Sequence, residues 1–289
     1  MRSAAAVRFS LPPMLASPRG GMLASSFGSD EPSSSVASWN GPLPAPDGQA
    51  ATIKLLHFVR HGQGYHNIDS GIMRSPLGLD ARLTDEGVDQ CSRLQAATAA
   101  LRPQLVVSSP MTRTLQTAVL ALEPQRLAAQ APPLLALEPL RETCNYLCDA
   151  RRPLSALAAE MPSVDFSACE HEEDELWKYY QAKHGPQEAF TQHRESADLS
   201  HLAERARAAF AWVGARPERE IVLVGHQAFF WNVFNMGRTV NDVGPAVSSL
   251  PRVVDFGDDA ALEAWASSRF ANCECRSLWA EFPDAAVAD

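Results

Sequence analysis

From Thr52 onward short apolar runs alternate with longer stretches of helical period, the pattern of parallel strands joined by crossover helices. The runs lie at Ile53 to Val59, Leu105 to Val107, Leu134 to Leu137 and Ile221 to Val224. Leu83-Thr84-Asp85-Glu86 supplies a capping threonine and an acidic first turn for a helix reaching about Leu101, before Pro103 stops it. Ser108-Ser109-Pro110 offers Ser109 as a cap and Pro110 as the first residue of a helix through Leu122. Helices are also expected over Asp198 to Ala215 and near Asp258 to Ser268, with a last strand near Cys275 to Phe282. The expected fold is one α/β domain over residues 51–289, a three-layer sandwich with a central, mostly parallel sheet and helices on both faces. Short helical pieces and the acidic run Glu170 to Glu175 predict a cap or insertion around 144–196.

Residues 1–50 are rich in Ser, Ala, Pro and Gly, have no helical or strand period, and are expected to form a disordered tail. Residues 1–29 hold Arg2, Arg8 and Arg19 and no acidic residue, the composition of an organelle transit peptide and equally of an ordinary unstructured N-terminus. The tail lacks the apolar core of a secretory signal.

A formal net charge of −9 argues against general binding to nucleic acid or anionic membrane, so a phosphorylated ligand has to meet a local cluster of arginines. No stretch approaches the ~18 to 20 apolar residues needed to cross a bilayer. The most apolar one, Ile221 to Phe234, is broken by His226, Gln227 and Asn232. The six cysteines, at 91, 144, 148, 169, 273 and 275, lack the C-x-x-C spacing of a zinc site and read as buried thiols. Cys273 and Cys275 share a face by strand alternation. The expectation is a soluble protein of a reducing intracellular compartment, the cytoplasm or an organelle, whose oligomeric state stays open.

In an open parallel sheet, ligands bind beyond the carboxyl ends of the strands, where helix N-termini point free N–H groups. Arg60-His61-Gly62 follows the first strand, Arg113 lies in the first turn after the second, Glu142 follows the third, and His226 sits where the fourth turns into a helix. Each residue type meets a need of phosphoryl transfer. A neutral imidazole offers a nucleophilic lone pair, guanidinium groups match the charge on phosphate oxygens, a second histidine adds a hydrogen bond, and a carboxylic acid serves the leaving oxygen. Taken singly, each residue is usually structural or solvated; together at one sheet edge they define a candidate site.

These residues also carry a resemblance. Leu56-His57-Phe58-Val59-Arg60-His61-Gly62 with Asn67, Arg82-Leu83-Thr84-Asp85-Glu86-Gly87, Ser108-Ser109-Pro110-Met111-Thr112-Arg113-Thr114-Leu115-Gln116-Thr117 and Val224-Gly225-His226 resemble, in order, the motifs of the histidine phosphatase superfamily. Gln63-Gly64, Arg141-Glu142, Cys148-Asp149, Arg151-Arg152, Val164-Asp165-Phe166 and Asp174-Glu175-Leu176-Trp177 resemble its plant and algal phosphoglycerate mutase-like members. The resemblance implies a phosphoglycerate mutase-like fold, a phosphohistidine at His61, phosphate bound by Arg60, Asn67, Arg113 and His226, and no metal or organic cofactor. Many members place Ser or Thr where this chain has Gly64, and the segment Thr143-Cys144-Asn145-Tyr146 after Glu142 departs from that of the mutases.

The function expected is hydrolysis of a small phosphorylated metabolite, with Glu142 protonating the leaving alcohol and later taking a proton from water. The alternatives are a phosphoglycerate mutase-type phosphotransferase and a non-catalytic phospholigand-binding module. Arg151 and Arg152 are candidates for reading a second anionic group on the substrate.

Overall fold

The computed structural model describes residues 6–11, 51–190, 192–238 and 245–283. Its strands are β1 (Val7–Ser10), β2 (Ala51–Arg60), β3 (Leu105–Ser108), β4 (Leu134–Ala136), β5 (Glu220–Gly225), β6 (Val254–Asp255) and β7 (Cys275–Pro283). They form one sheet in the order β4-β3-β5-β2-β7-β1-β6. β7 runs antiparallel to both its neighbours, and every other pairing is parallel.

Helices α1 (Tyr65–Ile68), α2 (Asp85–Thr98), α3 (Thr112–Ala121), α4 (Glu123–Arg126), α5 (Leu154–Glu160), α6 (Glu175–His184), α7 (Ser200–Ala215), α8 (Gln227–Asn235), α9 (Pro245–Ser248) and α10 (Ala260–Ala266) connect the strands. No helix among the described residues is long and apolar enough to cross a membrane.

The buried strands are apolar on both faces because both faces are covered. Leu56, Phe58, Leu105, Val107, Ile221 and Leu223 point into a core closed by α7, α8 and α10. Their alternates Val59, Val106, Val222 and Val224 point into a second core with Leu94 of α2, Leu115 of α3 and Leu157 of α5. Cys273 and Cys275 lie together in that second core, and all six cysteines are buried free thiols. At the start of α2 the Thr84 side chain accepts the Gly87 N–H at 3.0 Å, a cap that stabilises the helix by ~1 kcal/mol.

The sequence expectations require two corrections here. Val7–Ser10 is a strand between β7 and β6, so this part of the N-terminal segment belongs to the fold; residues 12–50 lie outside the described residues. The physical reason is Phe9, 1% exposed, whose ring centroid stands 5.7 Å from Phe58 and 5.9 Å from Phe210, Phe234 and Phe256. The second correction is that α3 begins at Thr112, not at Pro110, and Ser109 is not its cap.

The excursion that starts after Glu142 is closed at its base. Cys144 and Glu195 exchange backbone and side-chain hydrogen bonds, and Asn145 bonds Arg194 and Ser196. Between these ends a small cluster of Leu176, Trp177 and Tyr180 from α6 packs on Cys144 and Ala150.

Candidate active site

The nucleophile candidate is fixed by the sheet itself. One residue past β2, the His61 N–H donates to the Gly225 carbonyl at 3.0 Å, continuing the β2–β5 pairing, and the His61 carbonyl accepts from Asn272 Nδ2 at 3.0 Å. The following N–H, of Gly62, donates to Thr117 Oγ1 at 3.0 Å. The loop then passes in contact with the start of α2. A Cβ on Gly62 would stand 2.7 Å from the Gly87 carbonyl oxygen, and one on Gly87 would stand 2.1 Å from that of Gln63. Larger residues at either position would push the loop off the helix.

His61 Nδ1 lies 2.7 Å from the Gly62 carbonyl oxygen. A carbonyl only accepts, so Nδ1 carries the proton and Nε2 keeps its lone pair. Burial, then the neighbouring Arg113, His66 and Arg60, hold this imidazole well below its usual pKa, and it is neutral near pH 7.

Two further imidazoles flank it. The ring of His226 is centred 5.2 Å away at 65°, and that of His66 5.4 Å away at 51°. His226 Nε2 is 2.9 Å from Ser109 Oγ, the bond for which the start of α3 leaves Ser109 free. Burial first, then Arg113, keeps both His226 and His66 well below the ordinary histidine range.

Arg113 is fully buried, donating to the Cys148 carbonyl at 2.8 Å and facing Asp149 Oδ1 at 3.5 Å, while Arg60 donates to the Phe270 carbonyl at 2.7 Å. Four buried nitrogens of this group, Arg60 Nε, Arg113 Nε, His66 Nδ1 and His226 Nδ1, have no hydrogen-bond partner among the described residues. Buried polar nitrogens are rarely left so; the two arginine N–H groups are donors, each imidazole nitrogen is one in the tautomer that protonates it, and their concentration around one imidazole fits an oxyanion with several acceptor oxygens.

Glu142 sits opposite, at the start of α8. Its Oε1 accepts from Thr143 N at 2.8 Å and Phe229 N at 2.7 Å, and Oε2 accepts from Ala228 N at 3.2 Å. Burial, followed by the charge of Asp149, outweighs these bonds and pushes its pKa up to about 6, in the range of a working general acid. Arg205 of α7 holds the loop that presents it, donating to the carbonyls of Pro139 and Arg141 at 3.0 Å and of Glu142 at 3.3 Å.

The structure brings Arg60, His61, Arg113, Glu142 and His226 together at one end of the sheet. Asn67 stands on α1 at the exposed rim, where its Oδ1 accepts the Gly64 N–H at 3.0 Å and its amide nitrogen remains the donor end.

Arg151 and Arg152 are placed differently from the expectation that they read a second anion. Arg151 is buried and gives its N–H groups to the Glu138 carboxylate and to the carbonyls of Arg152, Glu172, His171 and Glu173. Arg152 bonds Asp80 Oδ2 at 3.1 Å and Thr112 Oγ1 at 2.7 Å, and pairs with Glu160 at 2.9 Å. Both are committed to the scaffold, because Glu138 captures Arg151 while Asp80 and Glu160 capture Arg152.

Sequence reasoning missed His66, Ser109 and Asp149 as parts of the site. The signal for His66 was the glycine two positions before it; Ser109 and Asp149 stand inside quoted motifs and needed the fold to show what they touch.

The fold and the pocket define an α/β protein with a basic, histidine-centred site at the carboxyl ends of parallel strands. The sequence profile of the histidine phosphatase superfamily (branch 1) matches residues 56–145. A phosphoglycerate mutase-like protein of Arabidopsis thaliana is 30% identical over 259 residues, 78% of this chain and 83% of the relative. The Arabidopsis phosphoglycerate mutase-like protein 1 is 31% identical over 257 residues, 78% of this chain and 80% of the relative. Among solved structures, a mycobacterial glucosyl-3-phosphoglycerate phosphatase is similar at 21% identity and a TM-score of 0.41, covering 79% of this chain and 91% of its own. The chain belongs to the histidine phosphatase superfamily.

Proposed function

We propose that the protein is a phosphomonoester hydrolase that acts on a small phosphorylated metabolite through a phosphohistidine at His61. The observation that carries this reading is the set of partnerless buried nitrogens of Arg60, Arg113, His66 and His226 around an imidazole whose Nδ1 is tied to the Gly62 carbonyl. Arg60, Arg113, His226 and, from the rim, the Asn67 amide bind the phosphoryl oxygens. Nε2 of His61 attacks phosphorus as the bond to the leaving oxygen breaks, and Glu142 gives that oxygen its proton. Water then attacks phosphorus, its proton passes to the Glu142 carboxylate, and the phosphorus–nitrogen bond breaks to restore His61. The chain's own groups supply the nucleophile, the acid and the charge for every step.

Hydrolysis is favoured over a mutase reaction by the commitment of Arg151 and Arg152 to Glu138, Asp80 and Glu160, which leaves them no free fork for a substrate carboxylate. The test is to incubate the protein with a panel of phosphomonoesters, including 3-phosphoglycerate with a bisphosphoglycerate primer, and to follow released phosphate and isomerised product together. Phosphate release that needs His61 and outruns isomerisation is the expected result. Isomerisation far faster than release would make it a mutase, and binding without turnover on any member of the panel would make it a phospholigand-binding module.

A further inference from the structure

His66 is the one imidazole beside the nucleophile for which the mechanism above gives no step. It lies on α1, is 8% exposed, and its ring centroid is 5.4 Å from that of His61. Its Nδ1 is buried without a partner among the described residues, and the charges it senses most are those of Arg113 and Arg60. A ring held among two guanidinium groups and another imidazole gains nothing from them electrostatically; what suits such a setting is an anion.

The backbone around it is built to admit the ring. A Cβ placed on Gly64 would stand 2.7 Å from both Cε1 and Nδ1 of His66, so any side chain at position 64 would enter the space that this edge of the imidazole fills. Gly64 and His66 therefore form one device, in which the absence of a side chain at one position lets the other swing in towards His61. The space that a side chain at position 64 would take is filled by the Nδ1–Cε1 edge of the ring at position 66.

Building on the reading of the site as a phosphoryl-transfer centre, we propose that His66 contacts the substrate directly, donating a hydrogen bond from Nδ1 to an oxygen of the phosphoryl group attacked by His61. As a neutral donor it adds no charge, and it orients the group while the arginines bind it. The requirement falls on phosphate itself, so the contact serves any phosphomonoester the enzyme accepts and sets affinity for inorganic phosphate, the product, as well.

The test uses the full chain and reads the binding of inorganic phosphate by calorimetry, which needs no turnover, beside kcat and KM for an aryl phosphate. H66N keeps a donor amide near the Nδ1 position, whereas H66L keeps volume and loses the donor. H66N is expected to bind phosphate within about 3-fold of wild type and H66L at least about 10-fold more weakly, as for loss of a hydrogen bond to a charged group. G64S should be impaired in the wild-type background, where the new side chain meets the His66 ring, and G64S/H66A should bind phosphate more tightly than H66A, since the serine hydroxyl then has the space. Thermal melts identify any variant that fails to fold, and the comparison then runs on the remaining pair. Equal phosphate affinity in H66N and H66L, or a G64S/H66A double variant no better than H66A, overturns the proposal. Failure of the wider functional reading looks different, with turnover surviving in H61A whatever stands at position 66.

Discussion

The Nδ1 atom of His61 and the carbonyl oxygen of Gly62 stand 2.7 Å apart, so a backbone acceptor from the very next residue decides which face of the imidazole can react. The proton is held on Nδ1 and the lone pair is presented on Nε2. Phosphate trapped during turnover should accordingly be on Nε2. Phosphorus–nitrogen couplings in an NMR spectrum of the 15N-histidine-labelled, alkali-quenched protein distinguish the two positions, and phosphate on Nδ1 would mean that the ring flips before it attacks.

Glu142 matters in proportion to the basicity of the leaving oxygen. Glu142→Gln is expected to slow hydrolysis of alkyl phosphates by roughly 100-fold or more and that of a p-nitrophenyl ester by less than about 10-fold. Parallel kcat/KM measurements on the two substrates check this, and equal losses would take Glu142 out of the acid role.

Asp149 Oδ1 faces Arg113 at 3.5 Å, and after burial its charge is what raises Glu142. In the proposed mechanism the acid form of Glu142 is the working one, so activity on alkyl phosphates is expected to fall as pH rises through its pKa. Asp149→Asn removes the neighbouring negative charge, lowers that pKa, and should move the alkaline limb of the kcat profile to lower pH by on the order of one unit. A limb that stays in place, or moves up, contradicts the assignment.

The three buried imidazoles His61, His66 and His226 are all held below the ordinary value of 6.5. The unfolded chain takes up these protons first, so the stability contributed by keeping the rings neutral is whole above pH 6.5 and is lost as pH falls below it. Each histidine adds a slope of at most about 1.4 kcal/mol per pH unit. Urea unfolding between pH 5 and 8 should give H66N a shallower acid slope than wild type, and saturating phosphate should protect both.

Phe9 anchors β1 through ring contacts with Phe58, Phe210, Phe234 and Phe256. Phe9→Ala is expected to cost about 3–5 kcal/mol in urea unfolding. A chain starting at Ala51 should melt well below the full chain, although no residue of the site has been touched. An unchanged melting temperature in both would show that β1 is dispensable.

Strands β3, β4 and β5 were legible because burial on both faces writes them as apolar runs, and β2 as one over Ile53 to Val59 broken only by Lys54 and His57; the candidate site residues were then looked for at the carboxyl ends. Val7–Ser10 was not legible: Val-Arg-Phe-Ser does alternate apolar and polar residues, but four residues inside a Ser- and Pro-rich segment are too short a run to stand out, and its pairing partners, Val254 and Ala280 among them, lie far away in the sequence. Ser109 was read as a helix cap from its residue type, while the actual turn into α3 at Thr112 leaves its hydroxyl for His226. Arg151 and Arg152 show the limit of reading charge alone, because only the fold reveals that Glu138, Asp80 and Glu160 have already taken them.

The place of β7 between β2 and β1 governs how the protein is made as well as how it is held together. On the ribosome β1 is made well before either of its neighbours, because β6 and β7 follow α9 and α10 in the chain. Both β2 and β1 must wait with an open edge for the same later strand, and the sheet closes only once β7 has been made. During that interval Val7 and Phe9 are exposed apolar residues on an unpaired segment, the kind of surface that chaperones hold. A synonymous or mutational change that delays the C-terminal segment should therefore lower the yield of folded protein without altering the stability of the molecules that do fold.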